Sequence, residues 1–280
     1  MSDLSVISSG RPLLLVGCGK MGTALLQGWL ARGLSPDAVN IIDPLADQLS
    51  EQFPTIAEAR LTDNWSSVSE ITPSFVLLAV KPQTMDDILP RLSAYVDGGA
   101  VFLSIAAGKT LSYFAGGLGK EAAVVRAMPN TPSAIGQGMT GLCSNAYVTK
   151  EQKTVCAALM KAVGEVAWVE NEGQMDAITA VSGSGPAYVF HMAEAMIAAG
   201  EAVGLSADDA KRFALKTLYG SVALLEQSGE EAGVLRKNVT SPAGTTEAAL
   251  NVLMAEEDGL TQLMTRAMQA AAARSRELSE

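Results

Sequence analysis

Short apolar runs alternate with amphipathic stretches through the first half of the chain, and this alternation limits the fold more than any other feature. The apolar runs are β-branched or Leu-rich and are bounded by turn or helix signals, which is typical of strands. They lie at 13–16, 39–42, 75–80, 100–105, 123–126 and 166–169. Helical patterns lie between most of them, for example at 21–31 and 83–95. The alternation predicts an α/β fold of the Rossmann type, with a mostly parallel sheet and helices on both faces.

The pattern changes near Asp176, beyond which the sequence contains no convincing strand. Long Ala-rich stretches follow at 186–202, 207–227, 245–255 and 261–276. We therefore expect two domains, a dinucleotide-binding domain at 11–172 and an all-helical domain at 173–280. Because the helical stretches are apolar on more than one stripe, we expect them to be buried against a second copy of the chain.

The composition of this 280-residue chain argues against several classes of partner. A net charge of -10 disfavours nucleic acid and anionic membranes, because both require a basic face. The apolar runs fall short of the ~18 residues of a membrane span, and the polar N-terminus lacks the apolar segment of a signal peptide. The three cysteines form no C-x-x-C pair. We therefore expect a cytoplasmic protein without a disulfide framework or a metal site.

A glycine-rich motif, G-x-G-x-x-G, separates the first predicted strand from the first predicted helix. Gly17 permits a tight turn, Gly19 lets a pyrophosphate approach the backbone, and Gly22 lets the helix pack closely on the strand. Free N–H groups at the helix start would hold the phosphates. A purely structural glycine turn is the alternative. The residues predicted to bind the dinucleotide here are Val16, Gly17, Cys18, Gly19, Lys20, Met21 and Gly22.

The second predicted strand is followed by Asp43, where an acid contacts the adenosine ribose in dinucleotide-binding folds. A carboxylate there accepts a hydrogen bond from the 2′-hydroxyl of NAD and repels the 2′-phosphate of NADP. The segment 43–59 contains no Lys or Arg but has three further acids, Asp47, Glu51 and Glu58. This charge pattern favours NADH over NADPH, although Asp43 could also be an ordinary acid in a strand-end turn.

Five further motifs follow in order along the chain. They are LAVKPQ at 78–83, SIAAG at 104–108, VRAMPNTP at 125–132, SGSGPAY at 182–188 and VTSPAGTT at 239–246. In this order and at this spacing, the chain from about residue 13 to its last helix resembles the pyrroline-5-carboxylate reductases, which make proline by reducing a cyclic imine. It departs at Ala243, where the family more often has a second Gly, and at Asp43, where many members have a small neutral residue.

The resemblance also implies which residues contact the cofactor. In the family, the stretches matching 79–82 and 106–108 contact the dinucleotide, and the position of Asn64 contacts its adenosine side. The matching residues are Asn64, Ala79, Val80, Lys81, Pro82, Ala106, Ala107 and Gly108. Taken alone, each stretch would be ordinary strand-to-helix packing. The family usually prefers NADPH, and Asp43 puts that preference in doubt here.

A hydroxyl-rich loop precedes the predicted helix at 245–255, and such a helix start is a site for a carboxylate. The same residues could serve as a helix cap. The resemblance implies that Thr246 is catalytic, with its hydroxyl near the ring nitrogen of the substrate, and that Thr245 contributes its backbone. Glu172 matches another substrate-contact position, with a solvated loop acid as the alternative. The predicted substrate-binding residues are Glu172, Ser241, Gly244, Thr245 and Thr246.

The reaction that the resemblance implies is hydride transfer from NADPH or NADH to C5 of 1-pyrroline-5-carboxylate, the last step of proline biosynthesis. A protonated imine is already electrophilic, so alignment of the two ligands can suffice without a strong catalytic acid. The resemblance also implies a dimer that can assemble into a decamer. The single histidine, His191, lies in an apolar helical stretch, and we expect it to be buried or at an interface.

Two other functions compete with this prediction. A β-hydroxyacid dehydrogenase shares the architecture but uses a Lys early in its helical domain, and the segment 176–202 contains no Lys. A protein that senses dinucleotide without catalysis would not require a second anion site far from the glycine motif. Both alternatives are therefore less well supported by the sequence.

Overall fold

The computed structural model of this protein describes residue 4 and residues 6–279. Within them, an eight-stranded sheet has the order β3-β2-β1-β4-β5-β6-β7-β8. Its strands are β1 Leu13–Val16, β2 Val39–Ile42, β3 Leu61–Thr62, β4 Phe75–Leu78, β5 Val101–Ser104, β6 Ala123–Met128, β7 Gly138–Ser144 and β8 Gly164–Trp168. Neighbouring strands are parallel except for the antiparallel pair of β6 and β7. The predicted mostly parallel sheet is confirmed.

Twelve α-helices accompany this sheet in the described part of the chain. They are α1 Lys20–Ala31, α2 Ala46–Gln52, α3 Met85–Leu92, α4 Ala94–Asp97, α5 Leu111–Leu118, α6 Lys150–Lys161, α7 Gln174–Ile178, α8 Gly185–Ala202, α9 Ala207–Ser228, α10 Ala232–Asn238, α11 Thr245–Leu253 and α12 Leu260–Glu277. A π-helical turn at Thr179–Gly183 joins α7 to α8. None of these helices is long and apolar enough to cross a membrane.

The core lies on both faces of the sheet, because successive side chains of a strand point to opposite sides. Leu13 and Leu15 of β1 belong to one buried cluster, and Leu14 belongs to the other. The first cluster is covered by α1 and α6, and Trp29 Nε1 ties these helices together by donating to the Leu159 carbonyl at 2.8 Å. The second is covered by α3 and α5. Helices therefore cover both faces, as predicted.

The chain divides into two compact units. The first contains the described residues up to Gly183 together with 271–279, and the second is Ser184–Ala270. The second unit is all-helical, in agreement with the predicted class of the C-terminal domain. Its buried hydrophobic residues are Ala210 and Ala214. The boundary predicted between residues 172 and 173 stays a prediction about folding domains.

Two strands were not expected from the sequence, and the ends of others shift by a few residues. The two-residue strand β3 is too short to leave a periodic pattern. The strand β7 contains two glycines and few residues of high β-propensity, so it does not resemble a strand. The run predicted at 75–80 ends as a strand at Leu78, and the run predicted at 123–126 continues to Met128.

Candidate active site

The segments predicted to bind a dinucleotide meet at one edge of the sheet. The carboxyl ends of parallel strands lie on the same side, and a ligand crevice forms there. The glycine motif follows β1, Asp43 follows β2 and Asn64 follows β3. The segments 79–82 and 106–108 follow β4 and β5. The order β3-β2-β1-β4-β5 places all five side by side.

The backbone of the glycine motif has the shape that a dinucleotide phosphate site requires. Gly17 has φ +86°, and a Cβ there would lie 2.7 Å from Val80 Cγ1. A Cβ on Gly22 would lie 2.7 Å from the Gly17 carbonyl oxygen, so strand and helix approach too closely for a side chain. In contrast, a Cβ on Gly19 would have no atom within 4 Å. Open space therefore adjoins the motif at its second glycine.

The first turn of α1 has the features of an anion-binding site. No side chain caps it, and its first turn contains no acid. The leading N–H groups, from Lys20, Met21 and Gly22, lie at the positive end of the helix dipole, where a phosphate is stabilised. Together with the open space at Gly19, this end fits the pyrophosphate of a dinucleotide.

Asp43 holds the glycine motif against β2 in addition to its predicted role at the ribose. Its Oδ2 accepts a hydrogen bond from the Cys18 N–H at 2.7 Å, and its Oδ1 accepts from the Leu45 N–H at 2.8 Å. A carboxylate has about four lone-pair positions, so it can still accept from a hydroxyl.

Burial raises the pKa of the Cys18 thiol to about 11, and the charge of Asp43 adds to that rise. The Cys18 side chain is therefore a neutral thiol.

The charges beside Asp43 are arranged as follows. Asn64 is the N-cap of a short 3-10 turn, and its Oδ1 accepts from the Ser66 N–H at 3.0 Å. Arg60, the first cation along the chain after Asp43, has its Nε 3.8 Å from Asp37 Oδ1. Asp37 precedes β2, whereas Asp43 follows it, so Arg60 is directed toward the opposite edge of the sheet. This direction leaves Asp43 without Arg60 as a counter-charge.

The loops after β4 and β5 present small or exposed residues. Ala79 and Val80 are half-buried, Lys81 is exposed, and Pro82 begins a 3-10 turn. In the second loop, the Ala106 N–H donates to Ser104 Oγ at 3.2 Å, and Ala107 is exposed.

Gly108 in the second of these loops has a neighbour that the sequence did not predict. A Cβ on Gly108 would lie 2.8 Å from the carbonyl oxygen of Leu278, so the end of the chain packs against this loop. Nearby in the same unit, Ser275 Oγ donates to Asp176 Oδ1 at 2.7 Å.

Glu172 lies in an ion pair in the first unit. Its Oε1 accepts from Arg126 Nη1 at 2.5 Å and from the Leu111 N–H at 2.7 Å. Arg126 is on β6 opposite Cys143, and burial, followed by the charge of Glu172, raises the pKa of that thiol. Sequence reasoning missed Arg126, because the pair spans 46 positions and no local pattern connects its two members.

The candidate carboxylate site in the second unit is the start of α11. Gly244 is the N-cap, no side chain caps the helix, and Thr245 and Thr246 open its first turn. The Gly244 N–H donates to the Ser241 carbonyl at 3.0 Å. Ser241 thus contributes its backbone to the loop, and its hydroxyl does not cap the helix. The first turn of α11 contains one acid, Glu247, whose Oε2 accepts from the Ala243 N–H. The leading N–H groups of α11 have no side-chain cap, so an anion can still bind them.

One residue of this loop has an uncommon backbone conformation. Ala243 has φ +55° and is the non-glycine residue with positive φ in the described part of the chain. Its N–H donates to Glu247 Oε2 at 2.7 Å. Glycine adopts positive φ without a steric cost, which agrees with the glycine that the resemblance led us to expect at this position.

His191, expected to be buried or at an interface, is on the surface of the single chain. Its side chain is 82% exposed, and its Nδ1 lies 3.0 Å from Glu194 Oε2. The prediction that His191 is buried within the chain is therefore wrong. An interface position stays a prediction, because the second unit leaves large apolar side chains such as the adjacent Phe190 exposed.

The fold and site define a nicotinamide-dependent oxidoreductase with an N-terminal dinucleotide-binding unit and a helical unit. Residues 172–278 match the family described as pyrroline-5-carboxylate reductase dimerisation, and residues 13–108 match the family described as NADP oxidoreductase, coenzyme F420-dependent. A pyrroline-5-carboxylate reductase of Pseudomonas aeruginosa is 38% identical over 268 residues, covering 96% of this chain and 97% of the relative. The chain belongs to the pyrroline-5-carboxylate reductase family, as the motifs predicted.

Solved structures agree with this membership. A pyrroline-5-carboxylate reductase of Coxiella burnetii superposes with a TM-score of 0.88 at 34% identity, covering 97% of this chain and 99% of that one. The Plasmodium falciparum enzyme, solved with NADP bound, gives a TM-score of 0.80 at 26% identity with the same coverage. Use of a nicotinamide dinucleotide and self-association through the helical region follow from the family.

Proposed function

We propose that this protein reduces 1-pyrroline-5-carboxylate to L-proline with NAD(P)H, the last step of proline biosynthesis. Full-length similarity to pyrroline-5-carboxylate reductases carries the proposal. Two features of the chain support it. The uncapped start of α1 adjoins open space at Gly19, which suits a dinucleotide phosphate. The uncapped start of α11 suits the carboxylate of the substrate.

The chain's own groups mainly bind and align the two ligands. When bound, the reduced nicotinamide supplies the hydride that converts the C=N bond of the imine into the C–N bond of proline. The first-turn N–H groups of α1 hold the dinucleotide phosphates, and the small residues at 79 and 106–108 leave room for the dinucleotide. Holding both ligands in a reactive orientation lowers the barrier without a strong acid.

The substrate is held by the loop before α11. The N–H groups of Thr245 and Thr246 donate to the carboxylate at the positive end of the helix. The Thr246 hydroxyl hydrogen-bonds at the ring nitrogen, where it steadies the imine and can relay a proton taken up from solvent. Glu172 as a substrate contact is the least supported of the predicted roles, because Oε1 of its carboxylate already accepts two hydrogen bonds.

For the cofactor, we propose a preference for NADH. A 2′-phosphate beside Asp43 would meet a carboxylate, and Arg60 is directed away toward Asp37. Two like charges ~4 Å apart repel by about 1 kcal/mol in water and by several at the lower effective dielectric of a protein surface. Asn64 opposes this preference, because an amide can donate to a phosphate.

We further propose that the dimer assembles into a decamer and that the protein acts in the cytoplasm. The exposed apolar surface of the helical unit supports the assembly. The three cysteines are free, which suits a reducing compartment.

The activity is tested by nicotinamide absorbance with 1-pyrroline-5-carboxylate and either NADH or NADPH, with proline identified by chromatography. We expect oxidation of the cofactor in step with proline formation. A panel of β-hydroxyacids with NAD and NADP serves as the control, and we expect no turnover with it. Turnover of a hydroxyacid, or no turnover of the imine with either cofactor, would refute the proposal.

A further inference from the structure

Three separate parts of the first unit meet at one oxygen atom. Oε1 of Glu172 accepts from Nη1 of Arg126 on β6 and from the backbone N–H of Leu111, the first residue of α5. The Arg126 side chain is 10% exposed and the Glu172 side chain 30% exposed. A guanidinium this deeply buried requires a carboxylate partner, because an isolated buried charge is very costly.

The contact with Leu111 completes the start of α5. Thr110 is the N-cap, and its Oγ1 accepts from the Tyr113 N–H at 3.1 Å. The first turn of α5 contains no acid of its own, so Glu172 supplies the negative charge that stabilises this end of the helix. Arg126 in turn fixes the carboxylate, so the position of Leu111 depends on both residues.

The start of α5 is also the end of a loop predicted to contact the cofactor. Residues 105–110 connect β5 to α5, and 106–108 are the predicted contact. The loop also packs against residue 278, because the Leu278 carbonyl oxygen lies 2.8 Å from where a Gly108 Cβ would be. The loop is thus held by the chain end at Gly108 and by Glu172 at Leu111.

We propose that Glu172 is a positioning residue for the dinucleotide, and that with Arg126 it fixes the loop 105–110 in its binding conformation. This role differs from a substrate contact. It rests on the proposed function only in assuming that the loop contacts the dinucleotide. Dinucleotide binding without the imine therefore tests it even if turnover of 1-pyrroline-5-carboxylate fails.

The experiment compares Glu172→Ala and Glu172→Gln with Glu170→Gln, a matched control at an exposed acid two positions earlier. Dissociation constants of NADH and NADPH are measured by titration calorimetry without the imine. We expect Glu172→Ala to weaken binding about tenfold, as loss of a charge-assisted hydrogen bond would. Glu172→Gln should weaken it less, because the amide oxygen still accepts from Leu111. Glu170→Gln should leave it unchanged.

Kinetics separate the two roles of Glu172. With saturating dinucleotide, we expect KM for the imine to stay within about twofold of wild type in Glu172→Gln, since an indirect contact changes it little. A raised KM for the imine with unchanged dinucleotide affinity would show a substrate contact and overturn the proposal. Unchanged values of both would overturn it as well.

A double variant covers the case in which Glu172→Ala folds poorly because Arg126 is left buried without a partner. Arg126→Met with Glu172→Ala removes both charges, and such a replacement often preserves stability. We expect this variant to melt near the wild-type temperature and still to bind dinucleotide about tenfold more weakly, because Leu111 has lost its acceptor. Wild-type dinucleotide affinity in the folded double variant would overturn the proposal.

Discussion

The two units of the chain differ sharply in how much apolar surface they bury. In the first unit, Phe102 and Phe114 have no exposed surface. In the helical unit, Phe190 is 64% exposed, Phe213 60% and Tyr219 70%. Burial of apolar surface is the main favourable term in folding. The first unit therefore has a core within one chain, and we expect the helical unit to gain stability by association with a second copy.

The same division applies to the ligands. The glycine motif, Asp43 and the loops after β4 and β5 are all in the first unit, so changes there should alter dinucleotide binding. Thr245 and Thr246 are in the helical unit, so changes there should alter binding of the imine. Variants can therefore separate the two units by stability and by kinetics.

The largest effect should come from a charge on the apolar face of the helical unit. Phe213→Asp would place a carboxylate where a partner subunit is expected to pack, and an unpaired buried charge costs several kcal/mol. We expect loss of the dimer and a large fall in melting temperature, measured by light scattering and thermal unfolding. Leu45→Asp is the control, since Leu45 is similarly exposed but lies in the first unit.

We expect Leu45→Asp to keep the wild-type mass and melting temperature. If Phe213→Asp did the same, the exposed face around Phe213 would not be an interface. The proposed difference between the two units, that only the helical unit gains stability from a partner, would then not hold for this face.

The second effect concerns cofactor choice in the first unit. Asp43→Asn removes the charge and keeps one oxygen, which can accept from the Cys18 N–H or the Leu45 N–H but not from both. The ratio of the two cofactors, rather than the affinity for either one, therefore reports the effect of the charge. We expect the ratio of kcat/KM for NADH to that for NADPH to fall about tenfold, as removal of ~1.4 kcal/mol of repulsion would give. Asp43→Ser should shift the ratio likewise and also weaken both cofactors, because the tie to the glycine motif is lost.

Wild-type preference for NADPH, or an unchanged ratio in Asp43→Asn, would contradict a role for Asp43 at the ribose. A loss of affinity for both cofactors in Asp43→Asn, without a change in their ratio, would leave this residue as a support of the glycine motif alone.

A third and smaller effect should appear at the candidate carboxylate site of the helical unit. Thr246→Ala removes one neutral hydrogen bond, which costs on the order of 1 kcal/mol, or about fivefold in kcat/KM. We expect this loss for the imine with unchanged dinucleotide affinity, measured by steady-state kinetics and calorimetry. Thr261→Ala, at an exposed threonine of α12, is the matched control. Weakened dinucleotide binding in Thr246→Ala would place the residue at the other ligand.

The sequence predicted the elements whose residues are apolar because they are buried. Strands β1, β2, β4 and β5 are buried on both faces, and their apolar runs were recognised. In β7, by contrast, two glycines are required because neighbouring atoms lie too close for a side chain. A Cβ on Gly138 would lie 2.2 Å from Ser133 Oγ, and one on Gly141 2.7 Å from Ile178 Cδ1. Small residues required by close packing resemble a loop in the sequence, which is why β7 was missed.

The candidate site shows the same limit. Segments at the ends of successive strands could be placed from the sequence, because parallel topology brings them to one edge. The position of Glu172 could not, because its partners Arg126 and Leu111 come from separate elements. Contacts of this kind depend on tertiary packing, and periodicity does not report them.

The smallest predicted effect tests the one strained residue of the helical unit's loop. Ala243 has φ +55°, a conformation that costs an alanine about 1 kcal/mol relative to glycine. Ala243→Gly removes that cost but enlarges the entropy of the unfolded chain, so we expect a net stabilisation of roughly 0.5 kcal/mol. Ala248→Gly, inside α11, is the matched control and should destabilise by about 1 kcal/mol, because glycine is a poor helix former.

Denaturant unfolding of both variants should be compared at one protein concentration, since the stability of a dimer depends on it. Opposite signs at these two positions would show that the loop keeps its left-handed turn in solution. A similar destabilisation at both would mean that Ala243 is not strained.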